Sequence, residues 1–164
     1  MTDHNKNPIQ LGTVSHGTMR PQDLIPCFLM ELRIYGCKSY QMLSDEVNSH
    51  GVMSEDGLTV NDDHPFWTSI ACDKILDALI DRLYDMSPSY AYFGAHEADG
   101  SDFGFWPHYD AIFDAIHDGE LLQVSDLSEI PDKFTGDICL INDHGNMTIG
   151  HALHGVFYSC WAIV

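Results

Sequence analysis

The sequence predicts an α+β domain: an antiparallel sheet built from hairpins and covered on one face by amphipathic helices. Three observations predict it. Helical periodicity is concentrated before Gly119, β-rich segments come in pairs flanked by turn residues, and strand and helix do not alternate in the regular way that builds a parallel sheet. At 164 residues the chain has the size of one domain and can bury roughly 70% of its unfolded surface. No repeat, low-complexity tract or linker divides it, so residues 1–164 are expected to form a single globular domain.

Ile9 to Val14 reads as a short extended segment, and Ser15-His16-Gly17-Thr18 as the turn into a helix. That helix is expected to start near Asp23, whose carboxylate suits the positive end of the helix dipole, with Pro26 in the first turn, where a missing N–H costs nothing. Leu24, Phe28, Leu29 and Leu32 supply its buried face and Gly36 its end. A second helix is expected over Tyr40 to Asn48, then a loop from Gly51 to Asp63.

The strongest helical pattern runs from Pro65 to Asp85. Cys72, Ile75, Leu76, Leu79, Ile80 and Leu83 fall in one arc at about 100° per residue, with Asp73, Asp77, Asp81 and Asp85 on the opposite arc. Tyr90 to His96 and Phe103 to Trp106 read as a hairpin whose loop is Glu97 to Asp102. Pro107 starts a shorter helix with Tyr109, Ile112, Phe113 and Ile116 in one stripe, Asp110, Asp114 and Asp118 beside it, and Gly119 at its end. Asp137 to Asn142 and Met147 to Gly150, joined by a turn at Asp143 to Asn146, form a second hairpin, and Val156 to Val164 is expected to be a core strand.

Charge is the unusual property. Twenty-five Asp and Glu against seven Lys and Arg give a net charge of −18, well past the roughly 2–8 units that keep a small domain soluble. Such a field repels nucleic acid and anionic lipid and attracts basic surfaces, so no direct nucleic-acid or membrane partner is expected. With 45% hydrophobic residues and 11% aromatics, the chain is too apolar for a disordered acidic tail. Five cysteines without a C-x-x-C suggest neither a disulfide framework nor a cysteine zinc site. The first ten residues carry no targeting signal and no apolar run reaches membrane-spanning length, so a cytoplasmic location is expected.

Several constellations of residues could carry chemistry. The two Asp rows place like charges about 6 Å apart along a helix, a spacing that costs helix stability and can imitate a row of phosphates. One row is sparse beside a DNA strand, with its charge per ~3.4 Å, so several rows or loops must cooperate. Glu97, Asp99 and Asp102, with His96, crowd oxygen and imidazole groups into one loop, but the spacing is not that of an EF-hand. His151 and His154, with Asp143 and His144 upstream, lack the Glu of a zinc hydrolase motif. Ser15 and His16, with Cys27 nearby, lack any nucleophile signature. No phosphate-binding glycine loop is present.

The strings Val14-Ser15-His16-Gly17-Thr18-Met19-Arg20, Asp23-Leu24-Ile25-Pro26, and Tyr92-Phe93-Gly94-Ala95-His96-Glu97 through Asp99-Gly100 to Asp102-Phe103-Gly104-Phe105-Trp106 resemble segments of small acidic proteins of phages and mobile elements. The resemblance covers about a third of the chain in separate pieces. It implies a context in which inhibitors of host defence are common, and it transfers no catalytic residue.

The function expected from the sequence is a non-enzymatic binding protein that occupies a basic, nucleic-acid-binding surface of another protein, such as a host defence nuclease. Its partner-binding residues are Asp73, Asp77, Asp81, Asp85, Glu97, Asp99, Asp102, Asp110, Asp114 and Asp118, with no catalytic residue, metal or cofactor. The alternative is a metal-dependent enzyme or metal-binding protein using His96 to Asp102 or the C-terminal histidines.

Overall fold

Local chain chemistry sets most element boundaries in the computed structural model, which describes residues 8–54 and 59–163. Residues 1–7 of the ten read for a targeting signal, residues 55–58 of the expected loop, and Val164 fall outside the described residues. The fold is α+β, with its residues grouped into two compact units. One comprises Gly12–Ser87 and Phe93–Phe105; the other comprises Ile9–Leu11, Pro88–Tyr92 and Trp106–Val164.

In the first unit, strand β1 (Gly12–Ser15) is followed by helices α1 (Pro21–Ile34) and α2 (Tyr40–Ser49). Helix α1 starts at Pro21, two residues before the expected Asp23, because proline's fixed φ and missing N–H suit the first helical position. Pro26 therefore lies beyond the first turn, and the carbonyl of Gln22 loses its helical donor, a correction to the expected register. Past the last turn, Gly36 adopts φ 64°. Its N–H donates to the Arg33 carbonyl at 3.1 Å and that of Cys37 to Leu32 at 2.8 Å, the paired bonds of a glycine-closed helix end.

The expected single helix from Pro65 is two elements, a 3-10 turn (Pro65–Thr68) and α3 (Ile70–Asp85). Ser69 divides them: it takes an extended conformation and its hydroxyl accepts the Cys72 N–H at 3.2 Å, ending one element and capping the next. Helix α1 packs against α2, α3 and β1. Strands β2 (Ala91–His96) and β3 (Asp99–Pro107) complete an antiparallel sheet of order β1-β3-β2. Phe28 of α1 stacks edge-on against Phe93 of β2 at 5.1 Å and lies 5.6 Å from Phe103 of β3, so α1 covers this sheet face.

In the second unit, helix α4 (Tyr109–Asp118) starts two residues after Pro107, which ends β3, and is capped by His108, whose Nδ1 accepts the Ala111 N–H at 3.3 Å. Gly119, at φ 76°, closes it as expected. Strands β4 (Leu121–Val124), β5 (Gly136–Ile141), β6 (Met147–Leu153) and β7 (Val156–Ile163) form a sheet of order β4-β5-β6-β7. Two features correct the expected single antiparallel sheet. The strands divide into two sheets, and β4 pairs with β5 in parallel, the 125–135 connection carrying the chain back between them. Ile112 and Ala115 of α4 pack with Leu121, Cys139, Met147, Ile149 and Trp161 on one face of this sheet. Val124, Ile138 and Ala152 pack with Ile130, Phe134 and Phe157 on the other.

Strand β7 is an edge rather than a core strand. Trp161 is buried and its indole N–H donates to the Ser89 carbonyl at 2.8 Å, but Val156 and Tyr158 are 55% and 58% exposed.

Candidate functional site

The α3 carboxylates stand where the helical period places them. Cys72, Ile75, Leu79 and Leu83 are buried, and Asp73, Asp77, Asp81 and Asp85 are all exposed on the outer side. Four residues turn the helix by about 400°, so the row winds about 40° per step and runs obliquely over about 18 Å from Asp73 to Asp85. Arg82 binds Asp85 at 3.1 Å, a solvent-exposed pair of little energetic worth. Among the described residues no ion pair reaches Asp73, Asp77 or Asp81. Ala78, Asp81, Arg82, Tyr84 and Asp85 line a polar recess of about 260 Å³ at the C-terminal end of the helix.

At the β2–β3 hairpin the expected loop shrinks to two residues, Glu97 and Ala98, and Asp99 to Asp102 belong to β3. Glu97 and Asp99 are exposed. Asp99 accepts the Ser101 hydroxyl at 2.7 Å and its N–H at 2.9 Å, and these bonds hold its carboxyl below the usual carboxylate range, with smaller help from His16 and His96. Asp102 turns inward: its side chain is 16% exposed, its Oδ2 accepts the Thr13 hydroxyl at 3.3 Å and lies 3.6 Å from His16 Nδ1. Its Oδ1 is buried without a hydrogen-bond partner. Asp102 thus joins β1 to β3 and presents little charge outward.

Asp110, Asp114 and Asp118 are exposed along α4. Beside them Tyr109 and Phe113, expected in the buried stripe, are 42% and 54% exposed, with Ile112 and Ala115 taking the core side instead. The α3 row and the hairpin carboxylates belong to the first unit, the α4 row to the second.

The other constellations do not assemble. Ser15 lies in β1, and among the described residues no hydrogen bond joins its hydroxyl to His16. The Cys27 thiol binds the Val14 carbonyl at 3.3 Å, and burial, then the charge of Glu31, push its pKa up, away from a reactive thiolate. Asp143 and His144 occupy the turn before β6 and His154 the turn after it, so the strand's seven residues separate them. Among the described residues no three His, Cys, Asp or Glu side chains are grouped to hold a metal ion.

One constellation escaped the sequence reading. His151 of β6 is opposite Asp137 of β5, and its Nδ1 lies 2.8 Å from Asp137 Oδ1; the Tyr90 hydroxyl donates to Asp137 Oδ2 at 3.3 Å. Burial, then the Asp137 charge and hydrogen bond, and Glu120, raise the Tyr90 pKa, keeping the phenol a donor. The Asp137–His151 half was legible, because a hairpin turn centred on His144 pairs these two residues, whereas Tyr90 arrives from a distant segment. Asp137 and His151 follow the alternation of Cys139 and Ile149 onto the sheet face that α4 packs against, and their side chains remain 40% and 47% exposed. Comparison with protein-family models, with curated proteins and with solved structures gives no significant match.

Proposed function

We propose that this chain is a non-enzymatic acidic binding protein that occupies a basic, nucleic-acid-binding surface of another protein, with inhibition of a host defence nuclease of the kind met by phages as its concrete form. The observation that carries the reading is the α3 row: Asp73, Asp77 and Asp81 stand exposed, without an ion pair among the described residues and only partly offset by Lys74 and Arg82, on a helix whose other face is sealed in the core. Like charges four apart work against the helix, by about 0.2–0.5 kcal/mol for each adjacent pair, so the row is an expense that binding to a cationic surface reverses. The α4 row and the exposed Glu97 and Asp99 extend the same chemistry. The metal-dependent alternative draws no support from the described residues, among which no three His, Cys, Asp or Glu side chains converge.

The test is an affinity pull-down from a bacterial lysate with mass spectrometry, run with and without excess duplex DNA. A second arm uses the folded Asp77→Asn/Asp81→Asn/Asp110→Asn/Asp114→Asn variant. The expected result is a nucleic-acid-binding protein that the wild type retains, DNA displaces and the variant does not hold. Retention unaffected by DNA or by the four substitutions overturns the reading.

A further inference from the structure

The outer surface of α4 carries a feature that charge alone does not explain. Tyr109 and Phe113, four residues apart, stack at 6.5 Å between centroids with their planes 19° apart, and both remain largely in solvent. His117 continues their row one turn further and is exposed. Asp110, Asp114 and Asp118 form a second row beside it, with Asp110 three residues before Phe113 and Asp114 three before His117, spacings that make side chains neighbours on a helix surface. The unit's core takes Ile112, Ala115 and Ile116 from this helix and leaves the aromatic pair out. A flat aromatic ledge therefore runs along a carboxylate row with the same repeat of about 6 Å.

We propose that this face of α4 is an arginine-accepting strip. A guanidinium is planar and weakly hydrated, so it lies flat on an aromatic ring while its edge donates paired N–H bonds to a carboxylate. Phe113 with Asp110, three residues before it, offers such a ring and carboxylate, while Tyr109 and His117 extend the row of rings on either side, with Asp114 beside His117. The occupant is a partner segment bearing arginines at the matching repeat, four apart on a helix or two apart on a strand, about 6–7 Å in either case. Lysine meets the carboxylate equally well as a point charge but gains less from the ring. Nucleic-acid bases also stack on aromatic rings, yet the phosphates they carry would be driven against Asp110 and Asp114. The strip deepens the proposed function and rests on it, since it names the side chain by which a basic partner is gripped.

The test measures binding of the full chain to two labelled alanine-based helical peptides of equal charge, one with arginine at every fourth position and one with lysine there. Fluorescence anisotropy at fixed ionic strength reports the affinities, and circular dichroism checks that the variants stay folded. The wild type is expected to prefer the arginine peptide by about three-fold, the share of two exposed ring contacts that lysine does not gain. Tyr109→Leu/Phe113→Leu is expected to abolish that preference while Glu46→Gln, exposed on α2, leaves it intact. Equal affinity for the two peptides, or a preference that survives loss of both rings, overturns the strip and leaves the acidic-binding reading standing. Failure of the wild type to bind either peptide overturns both.

Discussion

Gly150 illustrates how one absent side chain sets the packing of a sheet. A Cβ there would collide with the Tyr158 carbonyl oxygen and with the Phe157 ring, which packs against this face beside Ala152. The site lies where β7 bulges: Ile149 pairs with Trp161 and Gly150 with Ser159, leaving Cys160 as the extra residue. Because a backbone carbonyl as well as a ring must move, Gly150→Ala is expected to cost about 1–3 kcal/mol, read as a lowered urea midpoint with an unchanged slope. No loss would mean that β7 shifts freely at its bulge. Two residues away in space and chemistry differ again: Cys139, opposite Ile149, is buried and its thiol is pushed up to about 11 by that burial. Cys160 is exposed, and partial burial, then the Asp137 charge, raise it more modestly.

At the scale of one element, α3 sets favourable ends against an unfavourable middle. Ser69 satisfies an orphan N–H at the start and Arg82 meets both Asp85 and the negative end of the dipole. Between them, Asp73, Asp77, Asp81 and Asp85 repel one another in three adjacent pairs. Asp77→Asn/Asp81→Asn removes all three, and a gain of about 1 kcal/mol is expected at low salt, seen as a higher melting temperature that converges on the wild type as salt is added. A protein selected only for stability would discard the row. If the double substitution is neutral at low salt, the side chains are already too far apart to repel, and the argument from cost to function fails with it.

At the scale of the whole molecule, a net charge of −18 opposes compaction of both units. Salt is therefore expected to act in opposite directions on two observables. The melting temperature of the free protein should rise between low and physiological ionic strength as self-repulsion is screened, while the affinity for a cationic partner should fall. Calorimetry on the free protein and anisotropy on the complex check the two signs. A melting temperature indifferent to salt would show that the charges are spread too widely to matter. Among the described residues no helix is long and apolar enough to cross a membrane.

What the sequence determined by itself was local. Gly36 and Gly119 ended α1 and α4 because only a residue free to adopt positive φ closes a helix that way, and the turn at Asp143 to Asn146 followed from its polar residues and Gly145. The buried face of α1 and the exposed Asp row of α3 followed from the helical period. Where the period could not reach, tertiary structure decided. Four residues of β4 are too few to show alternation, and their parallel pairing with β5 is a non-local contact. The apolar segment of β7 looked like core, but hydrophobicity does not say how many neighbours a strand will have, and nothing pairs beyond it in the sheet. In α4 the stripe of Tyr109, Ile112, Phe113 and Ile116 spans about 100°, but the buried arc is shifted toward Ala115, so Ile112 is taken into the core and the rings are left outside. The candidate carboxylates of α3 and α4 were legible because exposure on a helix is periodic, whereas Asp102, on β3, turned inward toward Thr13 and His16. The aromatic ledge beside them was not, because only packing decides which part of an apolar stripe is left over.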